Sequence, residues 1–327
     1  MAEQNRTGEE EIRAKADCDV LWRVNRKCNF DCDYCFRDVI NTDEDKRTED
    51  PLCGKYSPEH IAKSFDDTGR IWHISMTGGE PFLYPRFMEL VNALTRKHYL
   101  AVSTNLSLSS AYDFADVINP GRVTTIKANV HIMEREKVNG GVKEFLRKFL
   151  HFQNRGFDIQ LVYVTYPPVL GRIREDLLRF RGEGVRRVWV KIFQGRYQDK
   201  RYPRDYSQQQ QELIRGLGLN HFEEQILSCR VSFIGKKCEA GRRVFSMDIA
   251  GNVSRCSALA EGYGNLFEGT FIPGKSARLC SAKKCGCSYQ GIRYALDSGS
   301  LSPSKFVIRT VQMAITAGES IGVLARR

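Results

Sequence analysis

The sequence predicts an α/β protein: six βα units building a parallel sheet, curved into an open, partial (βα)6 barrel, with a small C-terminal cysteine-rich α+β extension. Three observations predict it. Short apolar runs alternate with amphipathic stretches at helical spacing from residue 18 to residue 194. Six such units fall short of the eight that close an ordinary barrel. Eight of the 11 cysteines form two groups, Cys28 to Cys35 and Cys238 to Cys287, with none between Cys53 and Cys229; Cys18, Cys53 and Cys229 stand apart.

The elements follow in order. "CDVLWRVN" (18–25) reads as a strand. "SPEHIAKSFDDTG" is a helix, with Ser57 as N-cap, Pro58 at its first position and Gly69 at its end. "IWHISMT" (71–77) is a strand, and residues 85–98 are a helix with Phe87, Leu90, Val91 and Leu94 on one face. "LAVSTN" (100–105), "VTTIKANVHI" (123–132), "FDIQLVYVTY" (157–166) and "VRRVWVKIF" (185–193) are strands, separated by helices over 109–119, 141–156 and 174–184. Right-handed crossovers make such a series parallel. After Phe193, "QGRYQDKRYPRDYSQQQQ" is polar and turn-rich, and a helix is expected over about 207–228. "IAGNV" places a Gly-Asn turn between two strand-like segments. The expected division is a tail (1–17), a barrel core (18–194), a linker and helix (195–230), a cysteine-rich unit (231–290) and a helical end (291–327).

Composition bounds the setting. Hydrophobic content of 42% and charged content of 27% suit a soluble globular chain. No apolar run is long enough to cross a bilayer, and the N-terminal "MAEQNRTGEEEIRAKAD" lacks the apolar core of a signal peptide, so a cytoplasmic protein with no membrane partner is expected. In that reducing setting cysteines serve as metal ligands or catalytic groups rather than disulfides. The net charge of +11 comes from basic residues spread along the chain to Arg327, with no recognition helix or aromatic RNA-binding strand. A solvated basic surface explains it without nucleic acid.

"CNFDCDYCF" carries Cys28, Cys32 and Cys35 within eight residues. Thiolates are soft ligands that favour iron–sulfur clusters or zinc. A [4Fe–4S] cubane usually takes four cysteines, so three leave one iron open for a substrate or cofactor. The loop follows the first strand at its C-terminal end, where active sites of such folds lie. The spacing, with Tyr34 before Cys35, resembles the C-x3-C-x-aromatic-C signature of the radical S-adenosylmethionine (radical SAM) superfamily. The resemblance extends to "GGEP" (Gly78, Gly79, Glu80, Pro81) and to "STN" (Ser103 to Asn105) at the ends of the second and third strands. It implies that the open iron chelates S-adenosylmethionine and that the reduced cluster cleaves it to a 5′-deoxyadenosyl radical. It implies further that the backbone near Tyr34 faces the adenine, that Gly78, Gly79 and Glu80 meet the methionine ammonium, and that Ser103 and Asn105 lie near ribose and methionine. Asn129 stands where many relatives carry a serine contacting the methionine carboxylate.

Cys238 and Cys256 frame a hairpin, and Cys280, Cys285 and Cys287 follow as C-x4-C-x-C. This group resembles the twitch type of extension, the shorter form of the SPASM domain, which implies one auxiliary [4Fe–4S] cluster used for electron transfer. Five candidates for four positions leave one spare among Cys280, Cys285 and Cys287; a structural zinc ribbon is the alternative. A small polar substrate of a carbohydrate or natural-product pathway is expected, with peptide or protein modification as the second reading. An electron donor such as flavodoxin or ferredoxin is the implied partner. Lys127, His131, Tyr163, Lys191 and Gln194 are the candidate substrate-facing or catalytic residues at the barrel mouth. A non-enzymatic protein using both cysteine groups structurally is the rival class.

Overall fold

β1 (Cys18–Asn25) lies inside a nine-stranded sheet. On one side it is followed by β2 (Trp72–Gly78), β3 (Tyr99–Thr104), β4 (Val123–Asn129), β5 (Ile159–Val164) and β6 (Val188–Lys191), each parallel to its neighbour. The crossovers carry α1 (Pro58–Asp66), α2 (Phe87–Thr95), α3 (Ser110–Val117), α4 (Ile132–Glu136), α5 (Gly141–Asn154) and α6 (Ile173–Gly182). This computed structural model describes residues 15–35, 52–229 and 232–282. The six expected βα units are therefore present, in the expected order. The helical end expected over 291–327 lies outside the described residues.

Strand alternation separates two faces. On β1, Val20, Trp22 and Val24 are buried toward the helices. Trp22 meets Phe65 of α1 at 6.2 Å and Phe267 of the extension at 5.7 Å. On α3, Phe114 is fully buried among Phe82, Phe87, Phe152 and Phe157. Burying each such ring contributes about 1.5–3 kcal/mol. The opposite, concave face is polar: Arg23 aligns with Thr77 and Ser103 with Lys127.

Beyond Lys191 the structure departs from the expected linker. Residues 195–202 form a hairpin of β7 (Gly195–Tyr197) and β8 (Lys200–Tyr202), followed by two helices, α7 (Gln208–Arg215) and α8 (His221–Leu227). Gly218, at φ +79, turns the chain between the helices, and Asn220 caps α8 by accepting from Glu223 N at 2.9 Å. The single helix expected over 207–228 is thus interrupted. The fourth strand is also shorter than expected. It ends at Asn129, and His131 adopts φ 42, ψ 55 before α4.

The extension begins with β9 (Lys237–Cys238). β10 (Val244–Met247) then pairs parallel to β1 on its free side, and β11 (Asn252–Cys256) and β12 (Leu259–Asn265) continue antiparallel. The cysteine-rich region therefore shares the barrel's sheet. The β10–β11 turn runs over Asp248–Gly251, with Asp248 Oδ1 accepting from Ala250 N and Asn252 N, both at 2.9 Å. Asn252 opens β11 instead of sharing the turn's centre with Gly251. β13 (Arg278–Leu279) pairs with β9.

Candidate functional site

The loop carrying Cys28, Cys32 and Cys35 leaves β1 at the C-terminal end of the sheet. Cys32 is buried, the other two are half-buried, and none of the three is in a disulfide. The ends of β2 and β3 and the start of α4 hold this loop in place.

The β2 end approaches its backbone directly. Gly79 N donates to Asn25 O at 3.1 Å, Glu80 N donates to Lys27 O at 2.8 Å, and Asn25 Nδ2 donates to Glu80 O at 2.8 Å. A Cβ on Gly79 would lie 2.0 Å from the Lys27 carbonyl oxygen, so only glycine fits. The double glycine thus admits the cysteine loop itself. Glu80 is 1% exposed and its carboxylate is engaged. Thr104 Oγ1 donates to it at 2.6 Å, Asn105 N at 2.7 Å and Phe82 N at 3.2 Å. Burial pushes Glu80 up to about 7, against the pull of these donors and of Arg135.

Asn105 is fixed from both sides, since Arg135 donates to its carbonyl. Its Nδ2 donates to Asn29 Oδ1 at 3.0 Å and lies 4.0 Å from Cys28 Sγ. Asn29 Nδ2 in turn donates to Ser107 Oγ at 2.7 Å. Asn129 Nδ2 donates to Ser103 Oγ at 3.2 Å, which joins two residues that the sequence placed on neighbouring strands.

The start of α4 supplies the remaining contacts. Asp31 N donates to Glu134 at 3.2 Å, and the Arg135 guanidinium sits 5.3 Å from the Phe30 ring and 4.2 Å from Phe145. His131 Nδ1 is 3.3 Å from Cys32 Sγ and 2.9 Å from Tyr34 Oη. Burial, then the charges of Arg135 and Lys191, push His131 down to about 3. Its left-handed backbone costs on the order of 1–3 kcal/mol in a non-glycine residue. Burial pushes Tyr34 well above the usual tyrosine range, and its ring packs on Tyr166 at 4.6 Å. Sequence reasoning singled out His131 but missed Glu134 and Arg135. Their one signal is a His-x-x-Glu-Arg spacing that puts all three on one turn after β4.

The other mouth candidates divide. Lys127 and Lys191 flank the Trp189 ring at 5.2 and 5.7 Å, and all three are partly open to the concave face. Gln194 is half-buried just before β7. Tyr163 is a correction. It is 1% exposed, points to the helix layer and donates to Asp176 of α6 at 2.6 Å, because odd positions of β5 face outward.

In the extension, Cys238 on β9, Cys256 at the end of β11 and Cys280 after β13 come into one neighbourhood. Burial pushes the Cys238 thiol up, and the nearby Cys280 and Cys256 add to the rise. Arg255, 5% exposed, donates to Ala240 O at 3.3 Å and Leu279 O at 3.0 Å beside them. Cys285 and Cys287 lie outside the described residues. Among the described residues no three Cys, His, Asp or Glu side chains are already gathered as a metal cage.

Residues 22–181, which include the loop, the double glycine and Asn105, match the family described as the Radical SAM superfamily. The match likens this segment to a radical SAM domain. The chain is an enzyme, and its fold has solved counterparts. The anSMEcpe structure with bound AdoMet is 14% identical at a TM-score of 0.53, covering 93% of this chain and 99% of that one. A second anSMEcpe structure, with AdoMet and the Kp18Cys peptide, is 16% identical at a TM-score of 0.52, covering 92% and 99%. Streptococcus suis SuiB bound to S-adenosylmethionine is 15% identical at a TM-score of 0.50, covering 78% of this chain and 62% of that one. At these identities the likeness is one of fold. No curated protein matches the sequence. None of the helices described is long and apolar enough to cross a membrane.

Proposed function

We propose that this chain is a radical SAM enzyme that holds a [4Fe–4S] cluster on Cys28, Cys32 and Cys35 and abstracts hydrogen from a polar substrate in the concave lumen. The observation that carries the reading is a loop of three soft thiol donors, none in a disulfide, at the C-terminal end of β1, inside the segment that matches the Radical SAM superfamily. The residues fit the group: a three-thiolate set leaves an iron open. When bound, the cluster with S-adenosylmethionine supplies the electron and the 5′-deoxyadenosyl radical. The chain's part is to bind, orient and exclude water. Gly78, Gly79, Glu80, Ser103, Asn105 and Asn129 form the S-adenosylmethionine side of the site, with Tyr34 at its edge. Glu80 acts there by fixing the Asn105 backbone. Lys127, Trp189 and Lys191 face the substrate.

The second cysteine group fits a twitch-like auxiliary [4Fe–4S] site on Cys238, Cys256 and Cys280, completed by Cys285 or Cys287, for electron transfer with a flavodoxin- or ferredoxin-type donor. The domain limits proposed with this reading are 18–194 for the core and 231–290 for the extension, in a cytoplasmic protein. A peptide substrate is the second reading. It is favoured because a structure of nearly the same extent, anSMEcpe, is solved with a peptide.

The test is anaerobic reconstitution followed by reduction with S-adenosylmethionine present. The wild type should hold about eight irons and release 5′-deoxyadenosine. Replacing Cys28, Cys32 and Cys35 together with Ala should abolish that release and leave about half the iron. Cleavage surviving the triple replacement would sink the assignment.

A further inference from the structure

The cysteine loop is wound around one side chain. Phe30, Cys32 and Tyr34, at alternate loop positions, all touch the imidazole of His131. Phe30 meets it edge-on at 5.9 Å, Tyr34 lies nearly parallel at 5.8 Å, and Cys32 Sγ stands 3.3 Å from Nδ1. The ring is aimed by its own backbone. At φ 42 the residue leaves the sheet, and its carbonyl accepts from Glu134 N at 3.0 Å and Arg135 N at 3.2 Å.

We propose that His131 is a positioning residue for the cluster of the first loop, its Nδ1–H donating to the Cys32 sulfur. This rests on Cys32 being a cluster ligand. A thiolate bound to iron carries no proton, so a hydrogen bond along the Sγ–Nδ1 line must take its hydrogen from Nδ1. That choice fixes the tautomer. Tyr34 Oη, 2.9 Å from the same nitrogen, then shares the N–H as an acceptor. Hydrogen bonds to cluster sulfurs are among the factors that set the reduction potential. Donation to a thiolate favours the more electron-rich, reduced state. His131 therefore makes this cluster easier to reduce, and it does so without touching substrate.

Two replacements separate donation from packing. His131→Leu keeps the bulk and removes the donor. His131→Asn keeps an N–H near the position of Nδ1, in a residue that tolerates left-handed backbone. The measurement is a redox titration, followed by electron paramagnetic resonance, of the signal that changes when S-adenosylmethionine is added. The Leu variant should titrate at lower potential than the wild type and the Asn variant close to it, at equal iron content. A Leu variant at the wild-type potential, or an equal shift in both variants, overturns the proposal. Should the Leu variant take up no iron, pulsed resonance on wild-type protein carrying isotopically labelled histidine decides. A weak histidine-nitrogen coupling to that signal supports the donation, and its absence overturns it. A wild type with iron but no signal responsive to S-adenosylmethionine defeats the cluster assignment instead, and this proposal with it.

Discussion

The two cysteine groups are built in opposite ways. In the first, three thiols sit on one loop and the rest of the site reaches in to hold that loop: Gly79 and Glu80 from β2, Asn105 from β3, His131 and Arg135 from the start of α4. In the second, the three described thiols, Cys238, Cys256 and Cys280, arrive from separate segments, and a guanidinium, Arg255, next to Cys256, ties the backbones beside the other two together. The first group thus depends on close backbone approach around a local motif. The second depends on tertiary pairing of short strands. The two should fail to different substitutions.

The largest effect is expected at Gly79. Its Cβ would stand 2.0 Å from a backbone oxygen, which no rotamer change relieves. Gly79→Ala should cost about 3 kcal/mol or more through overpacking, empty the first site of iron and reduce 5′-deoxyadenosine release to background, while the second group keeps its iron. Normal release from this variant would show that the loop is not held as described.

Arg255→Met is the mirror experiment. It leaves the Ala240 and Leu279 carbonyls without that donor, at a cost of about 1.5–3 kcal/mol for bonds to a charged group. Iron should fall from about eight to about four per chain, with cleavage of S-adenosylmethionine retained. Loss of cleavage would mean that the two groups are not independent.

The same contrast explains what was legible. Six βα units and the first cysteine loop are local patterns, so strand alternation and the C-x3-C-x2-C spacing reveal them. The pairing of β10 with β1 joins residues more than two hundred positions apart, such as Asp19 and Val244, and no local pattern encodes it. Tyr163 was misplaced because its strand's register decides which face it meets, and a one-residue shift reverses that face. The β7–β8 hairpin was hidden in polar, turn-rich text whose strands are three residues each. Glu80 was legible as a site residue. Its partners, Thr104 Oγ1 and Asn105 N, come from another strand end and were not.

Glu80→Gln sharpens the comparison within the first site. A glutamine cannot accept at both ends, so one of Thr104, Asn105 and Phe82 is left poorly matched in a buried position, at about 1–3 kcal/mol. Cluster retention and S-adenosylmethionine affinity should fall together, because Asn105 lies between Glu80 and Cys28. Affinity falling alone, at full iron content, would mean that the carboxylate contacts the ligand directly.

Glu223 provides the control with the smallest expected effect. It too is 1% exposed and held at a strand end: Ile192 N donates to it at 2.8 Å and Trp189 Nε1 at 3.0 Å. Burial pushes it up to about 7, as with Glu80, but it lies on α8 against the far edge of the sheet, and its hydrogen-bond partners belong to that edge, not to the cysteine loop. A raised carboxyl keeps its proton in the folded chain over a pH range where the unfolded chain has released it. Its contribution to stability is therefore fullest below about 4.5, declines as pH rises toward about 7, and is constant above that. The stability difference between wild type and Glu223→Gln should shrink, in the wild type's disfavour, as pH rises from about 5 to about 8, by at most ~3 kcal/mol. Urea unfolding at several pH values measures it. Iron content and cleavage should stay at the wild-type level throughout. A difference that grows with pH would mean that the two N–H donors outweigh burial and hold the carboxylate ionised. Loss of iron from this variant would mean that the distant sheet edge, and not only the three neighbouring segments, holds the cysteine loop in place.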